Sequence, residues 1–189
     1  MEIVILDYQP AWANQFELLK AVYQSRLGGL VAQVEHVGST AVPGLAAKPV
    51  LDIDLIAENP QMLPAITTAL EKLGYGPRGE LGIAGRFAFA RLTGSAPEDG
   101  TDRLWPAHHL YVCVRGSIAL RNHLLFRDAL RGDAALTGRY AALKHALAAT
   151  SGNMDAYVRG KTAFITSVLE DAGMGGEALE EVVRANAVK

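Results

Sequence analysis

Two aspartates that lie one residue apart, Asp52 and Asp54, are embedded in an apolar run over residues 50–57. The β-branched and aliphatic residues of this run predict a β-strand. Side chains alternate between the faces of a strand, so both carboxylates share one face. Neighbouring carboxylates on a half-buried surface repel each other and lose hydration, unless a cation, a shared proton or hydrogen bonds compensate. The pattern predicts a divalent metal site or, if the polar face meets solvent, an ordinary pair of surface aspartates.

The residues upstream of this strand favour the metal site. Residues 34–37 predict a short strand that leads directly into Gly38, Ser39 and Thr40. A glycine permits close approach of the backbone to a ligand, and a hydroxyl can cap the helical turn that follows. Backbone N–H groups at such a turn point toward an anion. We therefore predict a phosphate-binding turn beside the two aspartates.

The two segments together resemble the signature of the nucleotidyltransferase superfamily of the DNA polymerase β type, a Gly-Ser turn followed by Asp-hydrophobic-Asp on the next strand. The longer sequence over residues 36–54, HVGSTAVPGLAAKPVLDID, is similar to the GrpB family in particular. The resemblance extends to about Leu169. It implies an α+β (α/β) fold in which a nucleotidyltransferase-like mixed β-sheet is flanked by helices, with a helical C-terminal third.

The same resemblance implies the ligands. It assigns Mg²⁺ or Mn²⁺ to Asp52 and Asp54, and it implies a nucleoside triphosphate or another phosphorylated small molecule as the binding partner. No Walker loop, His-Glu-x-x-His motif or G-x-S-x-G motif occurs in the chain, so those alternative chemistries are not indicated.

The composition is typical of one globular domain, which we predict over residues 1–172. Residues 173–189 form a tail, for which we predict a short, detached helix. Half of the 189 residues are hydrophobic and the net charge is -2, which gives no strong signal for nucleic-acid binding. The one cysteine, Cys113, excludes an internal disulfide and fits a packed core thiol. No apolar run is long enough to span a bilayer. We expect a cytoplasmic protein without membrane contact, and an oligomer is left open.

Hydrophobic periodicity and capping residues predict the other elements. Residues 75–80 and 93–107 are rich in turn-forming residues and predict connections. The predicted strands cover residues 2–6, 34–37, 50–57, 85–91 and 108–115, and the predicted helices cover residues 10–27, 59–73, 118–130, 133–149, 153–169 and 177–189.

Two basic residues near the aspartates are candidates for phosphate contact. Arg86 alternates with the phenylalanines of the strand over residues 85–91, and a guanidinium binds phosphate oxygens in a fork. Lys48 precedes Pro49, which favours an extended backbone just before the strand that carries the aspartates. A solvated surface position explains either residue equally well.

The strand over residues 108–115 places His109, Tyr111 and Cys113 on one face. The superfamily resemblance implies a third carboxylate on a later strand, and this strand has none. With His109 at that position, the site either holds a single metal or uses the imidazole as a base for an acceptor hydroxyl. For His108 we expect an ordinary hydrogen-bonded histidine in a half-buried strand.

Two helices of the last third carry a tyrosine and a lysine four residues apart, which places each pair on one helix face. With Arg127 and Arg131 they predict a basic wall opposite the aspartates. Packing of a lysine stem along a tyrosine ring is an equally simple explanation for the first pair. The resemblance assigns phosphate binding to the second pair. The pairs are Tyr140 with Lys144, and Tyr157 with Lys161.

Two functions of different classes follow. The first is a metal-dependent transfer of a nucleotidyl group from a nucleoside triphosphate to a small acceptor, with Asp52, Asp54 and His109 as catalytic residues and the turn at Gly38 holding phosphate. The second is a catalytically silent nucleotide- or phosphate-binding module of the same fold, which retains the cleft but lost its chemistry with the third carboxylate.

Overall fold

The computed structural model describes residues 3–187 and is built around one five-stranded sheet in the order β1-β2-β5-β4-β3. Strands β2 and β5 are parallel and the other neighbours are antiparallel, so the sheet is mixed. The strands are β1 Gln33–Val37, β2 Leu51–Ala57, β3 Tyr75–Gly79, β4 Arg86–Arg91 and β5 His108–Val114.

Seven α-helices accompany the sheet in the described part of the chain. Those of the last third form a continuous helical region, which confirms the predicted α+β class with a helical C-terminal third. They are α1 Ala11–Leu27, α2 Leu63–Glu71, α3 Ile118–Gly132, α4 Ala134–Thr150, α5 Met154–Gly160, α6 Thr162–Asp171 and α7 Glu177–Ala187.

The main core lies between one face of the sheet and helices α1 and α2. Leu19 of α1 and Ile53 of β2 are completely buried in it, together with Leu70 of α2. Burial of each such side chain contributes roughly 1.5–3 kcal/mol. The aliphatic residues of β2 that alternate with its aspartates all belong to this core. The aspartates therefore face the opposite side, as the period of two predicts.

A buried polar cluster crosses this core. The Tyr75 hydroxyl lies 2.7 Å from that of Tyr23 and 2.6 Å from Nε2 of His108. Nδ1 of His108 is 2.8 Å from the Pro106 carbonyl oxygen and must donate to it, so Nε2 accepts from Tyr75. Burial lowers the pKa of His108 to about 4. His108 is thus a neutral, hydrogen-bonded core residue.

Two predicted segments differ from the structure near the sheet. The strand predicted over residues 2–6 is reduced to a single bridge between Leu6 and Ala47, and Glu2 lies outside the described residues. The connection predicted over residues 75–80 is instead edge strand β3, which pairs with β4. Its proline and glycines obscure the strand pattern, but an edge strand tolerates them, and buried Tyr75 anchors it.

Two predicted helices also have different bounds. The helix predicted over residues 59–73 begins as a 3-10 turn, capped by the Asn59 side chain, and ends at Glu71. The helix predicted over residues 153–169 is divided into α5 and α6 at Lys161. Gly160 lies close to α4, where an added Cβ would be 2.5 Å from a terminal methyl of Leu147, so a larger residue there would displace that side chain.

The tail is not detached. Helix α7 packs on its own chain through Val182, which is buried with Leu169 and Met174. None of the described helices is both long and apolar enough to cross a bilayer.

We expect the free energy of unfolding to decrease as the pH is lowered from about 6.5 toward 4, because the unfolded chain then binds a proton at His108 and the folded chain does not. The contribution of His108 to this loss is on the order of 3 kcal/mol. Urea denaturation at a series of pH values measures it. His108→Gln should reduce the pH dependence in this range, whereas His145→Gln, at an exposed position, should not. Equal pH dependence in wild type and His108→Gln would contradict the assignment.

Candidate functional site

A cavity of about 270 Å³ lies on the aspartate face of the sheet, beneath the helices of the last third. Most residues that the sequence singled out line it. Two predicted site residues, Asp54 and Thr40, are buried and do not line it. The predicted residues at its wall are Gly38, Ser39, Lys48, Asp52, Arg86, His109, Tyr157 and Lys161.

Asp52 is placed in the cavity wall by the pairing of β2 with β5, which sets it directly opposite His109. Its Oδ1 lies 2.9 Å from Nδ1 of His109. Burial on its own raises the pKa of Asp52, but the hydrogen bond from His109 and the charges of His109, His123 and Lys161 outweigh it. The pKa of Asp52 is therefore below its usual value, and the carboxylate is ionised at neutral pH.

Asp54 is completely buried and is held by a histidine from another layer. Its Oδ2 lies 2.7 Å from Nδ1 of His123 on α3. Desolvation lowers the pKa of His123, but the charge of Asp54 and the hydrogen bond to it prevail, so the pKa of His123 is raised. The other oxygen, Oδ1, is buried and has no hydrogen-bond partner within residues 3–187. The two aspartates are thus not a pair of solvent-facing surface residues.

The donor set around Asp54 fits a cation. Asp54, Cys113 and His123 each offer one ligand atom, and these atoms lie within 4.8 Å of one another. Burial raises the pKa of Cys113, so its thiol is protonated in the present arrangement. The unpartnered oxygen of Asp54 and the nearby carboxylate of Asp52 are the hard ligands that Mg²⁺ or Mn²⁺ prefers.

Gly38 brings the predicted turn against the carboxylate. It has φ +70°, and an added Cβ would lie 2.2 Å from Oδ2 of Asp52. Only glycine satisfies both the backbone conformation and this contact. A single 3-10 turn, Ser39–Ala41, follows. The Thr40 hydroxyl lies 3.0 Å from Nε2 of His36 in the protein interior, which is why it does not reach the cavity.

Arg86 is a buried cation without a carboxylate partner. Its side chain is only 6% exposed, and its guanidinium carbon lies 4.6 Å from the ring centroid of Tyr111. Its Nε has no hydrogen-bond partner, and no ion pair of Arg86 occurs in the described part of the chain. A buried charge is costly without a counter-charge. Because Arg86 faces the cavity, it creates a site for an anion there.

Lysines and tyrosines form the wall opposite the aspartates. Nζ of Lys161 lies 4.5 Å from the ring centroid of Tyr157, and Nζ of Lys48 lies 5.9 Å from the same centroid. Lys144 is buried and donates a hydrogen bond to the Ala46 carbonyl. Burial, with a smaller effect of the Lys161 charge, lowers the pKa of Lys144 to about 7. This wall is basic and aromatic, as the two tyrosine–lysine spacings predict.

The predicted contribution of Arg127 and Arg131 to this wall is absent. Arg127 lies 2.6 Å from Glu35 Oε2 and also donates to the His36 carbonyl. Arg131 donates twice to the carbonyl of Ala41. These residues tie α3 to β1 and to the turn that follows it. Because their donors are used in these hydrogen bonds, the two arginines stabilise the backbone next to the cavity and do not line it.

Sequence reasoning missed His123. It lies four residues after buried Ala119 and four before buried Arg127 on α3, so helical spacing places it on the inward face. That spacing was a usable signal for its position, though not for its partner. Asn186 of α7 also lines the cavity, and the sequence holds no comparable signal for it because its placement depends on the docking of α7.

The fold is similar to that of solved nucleotidyltransferases. A structure of Cid1 poly(U) polymerase bound to MgATP matches 84% of this chain and 50% of its own length, with a TM-score of 0.57 and 11% identity. A cytoplasmic RNA terminal U-transferase matches 83% of this chain and 49% of its own length, with a TM-score of 0.53 and 14% identity. The protein therefore has a nucleotidyltransferase-like fold.

Within this class the chain belongs to the GrpB family, whose model, described as GrpB protein, matches residues 2–171. The crystal structure of the conserved protein GrpB from Enterococcus faecalis covers 89% of this chain and 96% of its own, with 32% identity and a TM-score of 0.74. Helix α7 follows the matched region.

Curated relatives agree with this assignment. UPF0157 protein YqkA of Bacillus subtilis is 32% identical over 172 residues, covering 90% of this chain and 47% of the relative. UPF0157 protein PA4798 of Pseudomonas aeruginosa is 36% identical over 171 residues, covering 88% and 66%. The chain thus spans about half and two thirds of the lengths of these two relatives.

Gly38→Ala should destabilise the protein more than Gly44→Ala. Both glycines have positive φ, 70° and 78°, so each substitution incurs a backbone cost of about 1 kcal/mol or more. The cost is higher at Gly38, whose ψ of -170° lies in a region essentially restricted to glycine. Gly44 has open space around it, whereas a Cβ at Gly38 collides with Asp52. The overlap adds about 1–3 kcal/mol. Urea denaturation of both variants at pH 7 measures the difference, and equal losses would show that the turn does not press on the carboxylate.

Proposed function

We propose that the protein is a metal-dependent nucleotidyltransferase that moves a nucleotidyl group from a nucleoside triphosphate to a small acceptor. One observation carries this proposal: the Gly38 turn packs directly against Asp52 at the wall of a cavity, and lysines line the opposite wall. The carboxylate of Asp52 and basic groups suited to phosphate therefore line one cavity, while Asp54 lies on the same face of β2 but is buried outside the lining. Nucleotidyl transfer requires this combination.

In this proposal the triphosphate lies between Arg86 and the wall of Lys48, Tyr157 and Lys161. Arg86 supplies a fork of N–H donors to phosphoryl oxygens, and its buried charge gains the counter-charge that the described chain does not provide. Lysines supply point charges to the outer phosphates. The turn at Gly38 and Ser39 lines the same cavity, and its backbone N–H groups supply further donors to the phosphates.

Asp52 and Asp54 would hold Mg²⁺ or Mn²⁺, which when bound neutralises phosphate charge and lowers the pKa of an attacking hydroxyl. His109 acts beside them. Its Nδ1 is engaged with Asp52, which leaves Nε2 to take a proton from the acceptor. Asp52 stabilises the imidazolium that results. The fold similarity to Cid1, a poly(U) polymerase seen with MgATP and with MgGTP, supports a nucleotide as the ligand.

The alternative is a catalytically silent nucleotide- or phosphate-binding module, and one observation favours it. On the aspartate face of β5 the residues are His109, Tyr111 and Cys113, so no third carboxylate is present on that strand. Asp54 is also engaged with His123. A site with only two carboxylates suits one cation better than two.

Removal of the unpaired guanidinium should weaken nucleotide binding. We expect Arg86→Gln to lower the affinity for ATP with Mg²⁺ by roughly ten- to a hundredfold, since a hydrogen bond to a charged group contributes about 1.5–3 kcal/mol. Isothermal titration calorimetry measures the affinity. Arg115→Gln is the matched control, because Arg115 is exposed, lies outside the cavity and pairs with Glu58. Equal affinities in the wild type and Arg86→Gln would remove the phosphate role of Arg86.

The aspartates distinguish the enzyme from the silent module. Wild type and Asp52→Asn are incubated with nucleoside triphosphates labelled at the α-phosphate, Mg²⁺ and a library of small hydroxylated acceptors, and label transfer is followed by chromatography. We expect transfer by wild type and a loss of at least a hundredfold in Asp52→Asn, because the metal ligand is removed. Calorimetry that shows Mg²⁺-dependent ATP binding together with no triphosphate consumption would establish the silent module instead. If Asp52→Asn and Asp54→Asn both keep the Mg²⁺ dependence of the wild type, the metal role of both residues is excluded.

A further inference from the structure

A second groove, of about 540 Å³, continues the cavity across the far half of the sheet. The two spaces share Arg86, His109 and Tyr111 in their walls. The groove therefore begins at His109, which is hydrogen-bonded to Asp52, and extends away from the wall that carries the lysines. A molecule in it would have one end beside His109.

The floor of the groove is formed by small side chains. Ala88 and Ala90 of β4 lie on the same face as Arg86, and the register places Ala88 opposite Tyr111. An alanine in a strand leaves open the volume that a β-branched or aromatic residue would fill. The groove is consequently a flat, apolar shelf between neighbouring strands.

Leu81 forms the rim of this shelf at a cost in stability. It is 61% exposed and has φ +51°, which is unusual for a residue other than glycine. This conformation costs about 1–2 kcal/mol for a residue with a Cβ. The turn is fixed by the Glu80 carboxylate, which accepts a hydrogen bond of 2.7 Å from the Gly85 N–H. A strained, exposed leucine beside a cavity indicates a ligand contact.

The charged side chains that line the groove are all arginines. Arg78, Arg86 and Arg91 line it, and no carboxylate does. The guanidinium of Arg91 is already bound to the carbonyls of Trp105 and Pro106. Arg78 is exposed, and neither it nor Arg86 makes an ion pair between residues 3 and 187. The groove thus offers an apolar shelf with free positive charge at its edge.

We infer that this groove binds the acceptor, and that the acceptor is a small molecule with a flat apolar body, an anionic group and a hydroxyl. The body lies on Ala88 and Ala90 against Leu81, the anionic group pairs with Arg78, and the hydroxyl reaches His109. This inference rests on the proposed function, because it assigns the second substrate of the same site.

The transfer balances with these two substrates alone. The acceptor oxygen forms a bond to the α-phosphorus, and the bond from that phosphorus to the bridging oxygen of the leaving pyrophosphate breaks with its electron pair. The hydroxyl proton passes to the Asp52–His109 pair. The products are a nucleotidylated acceptor and pyrophosphate, and no oxidant or reductant is involved.

The test uses 4-hydroxybenzoate, which carries a flat ring, a carboxylate and a hydroxyl, as the probe. It is titrated into the ¹⁵N-labelled full chain, and amide shifts are followed by NMR. We expect saturable shifts that include residues 88–91. Ala90→Leu fills the shelf and Arg78→Gln removes the charge, and each should weaken binding at least tenfold. Ala13→Leu, the same enlargement at an exposed site on α1, should leave it unchanged.

Phenol, which is 4-hydroxybenzoate without the carboxylate, should bind at least tenfold more weakly than 4-hydroxybenzoate. Absence of shifts at residues 88–91, or unchanged affinity in both Ala90→Leu and Arg78→Gln, would overturn the inference. Equal binding of phenol would overturn its anionic part. ATP with Mg²⁺ is titrated into the same proteins, and all of them should bind it equally. If wild type fails to bind ATP but binds the probe on the shelf, the proposed nucleotide function fails and the groove assignment stands.

Discussion

Two carboxylate–histidine contacts hold the negative charge of β2 inside the protein. Asp54 is fully buried on His123, and Asp52 is held at the cavity wall by His109. Loss of one partner from a buried ion pair costs on the order of 3–5 kcal/mol, so the position of α3 over the sheet is coupled to the charge of Asp54. Helix α3 also carries Arg127, which forms an ion pair with Glu35 of β1. The inward face of α3 is therefore attached to β1 through Arg127 and to β2 through His123. The contacts of His123 and Arg127 thus attach α3 to the sheet, whereas the contact of Asp52 with His109 joins two strands beside the cleft.

The contact between Asp52 and His109 depends on strand register. The parallel pairing of β2 with β5 sets these residues opposite each other, and a slip of β2 by one residue would turn Asp52 into the apolar core. That core opposes such a slip, because Ile53 and Leu110 are buried on its side of the same two strands. Packing on one face of the sheet therefore maintains the polar geometry on the other.

Much of this arrangement follows from local sequence. The period of two predicts that Asp52 and Asp54 share a face, and the alternation around Arg86 separates it from the phenylalanines of its strand. That Arg86 shares a cavity with Asp52 depends on the strand order, which local sequence does not give. The ion pair of Asp54 with His123 could not be predicted, because it joins residues 69 positions apart through the docking of α3. Edge strand β3 was obscured for another reason, since its proline and glycines have strong local preferences that the pairing with β4 overrides.

The two halves of the cleft come from different layers of the fold. Strands and the turn at Gly38 carry the acidic half, whereas α4, α5 and the junction at Lys161 carry the facing wall of lysines and tyrosines, with Lys144, Tyr157 and Lys161. Replacement of side chains on those helices would alter which molecules are admitted without disturbing the carboxylates. The fold can thus diversify its ligands on one layer while the other layer preserves a constant set of acidic groups.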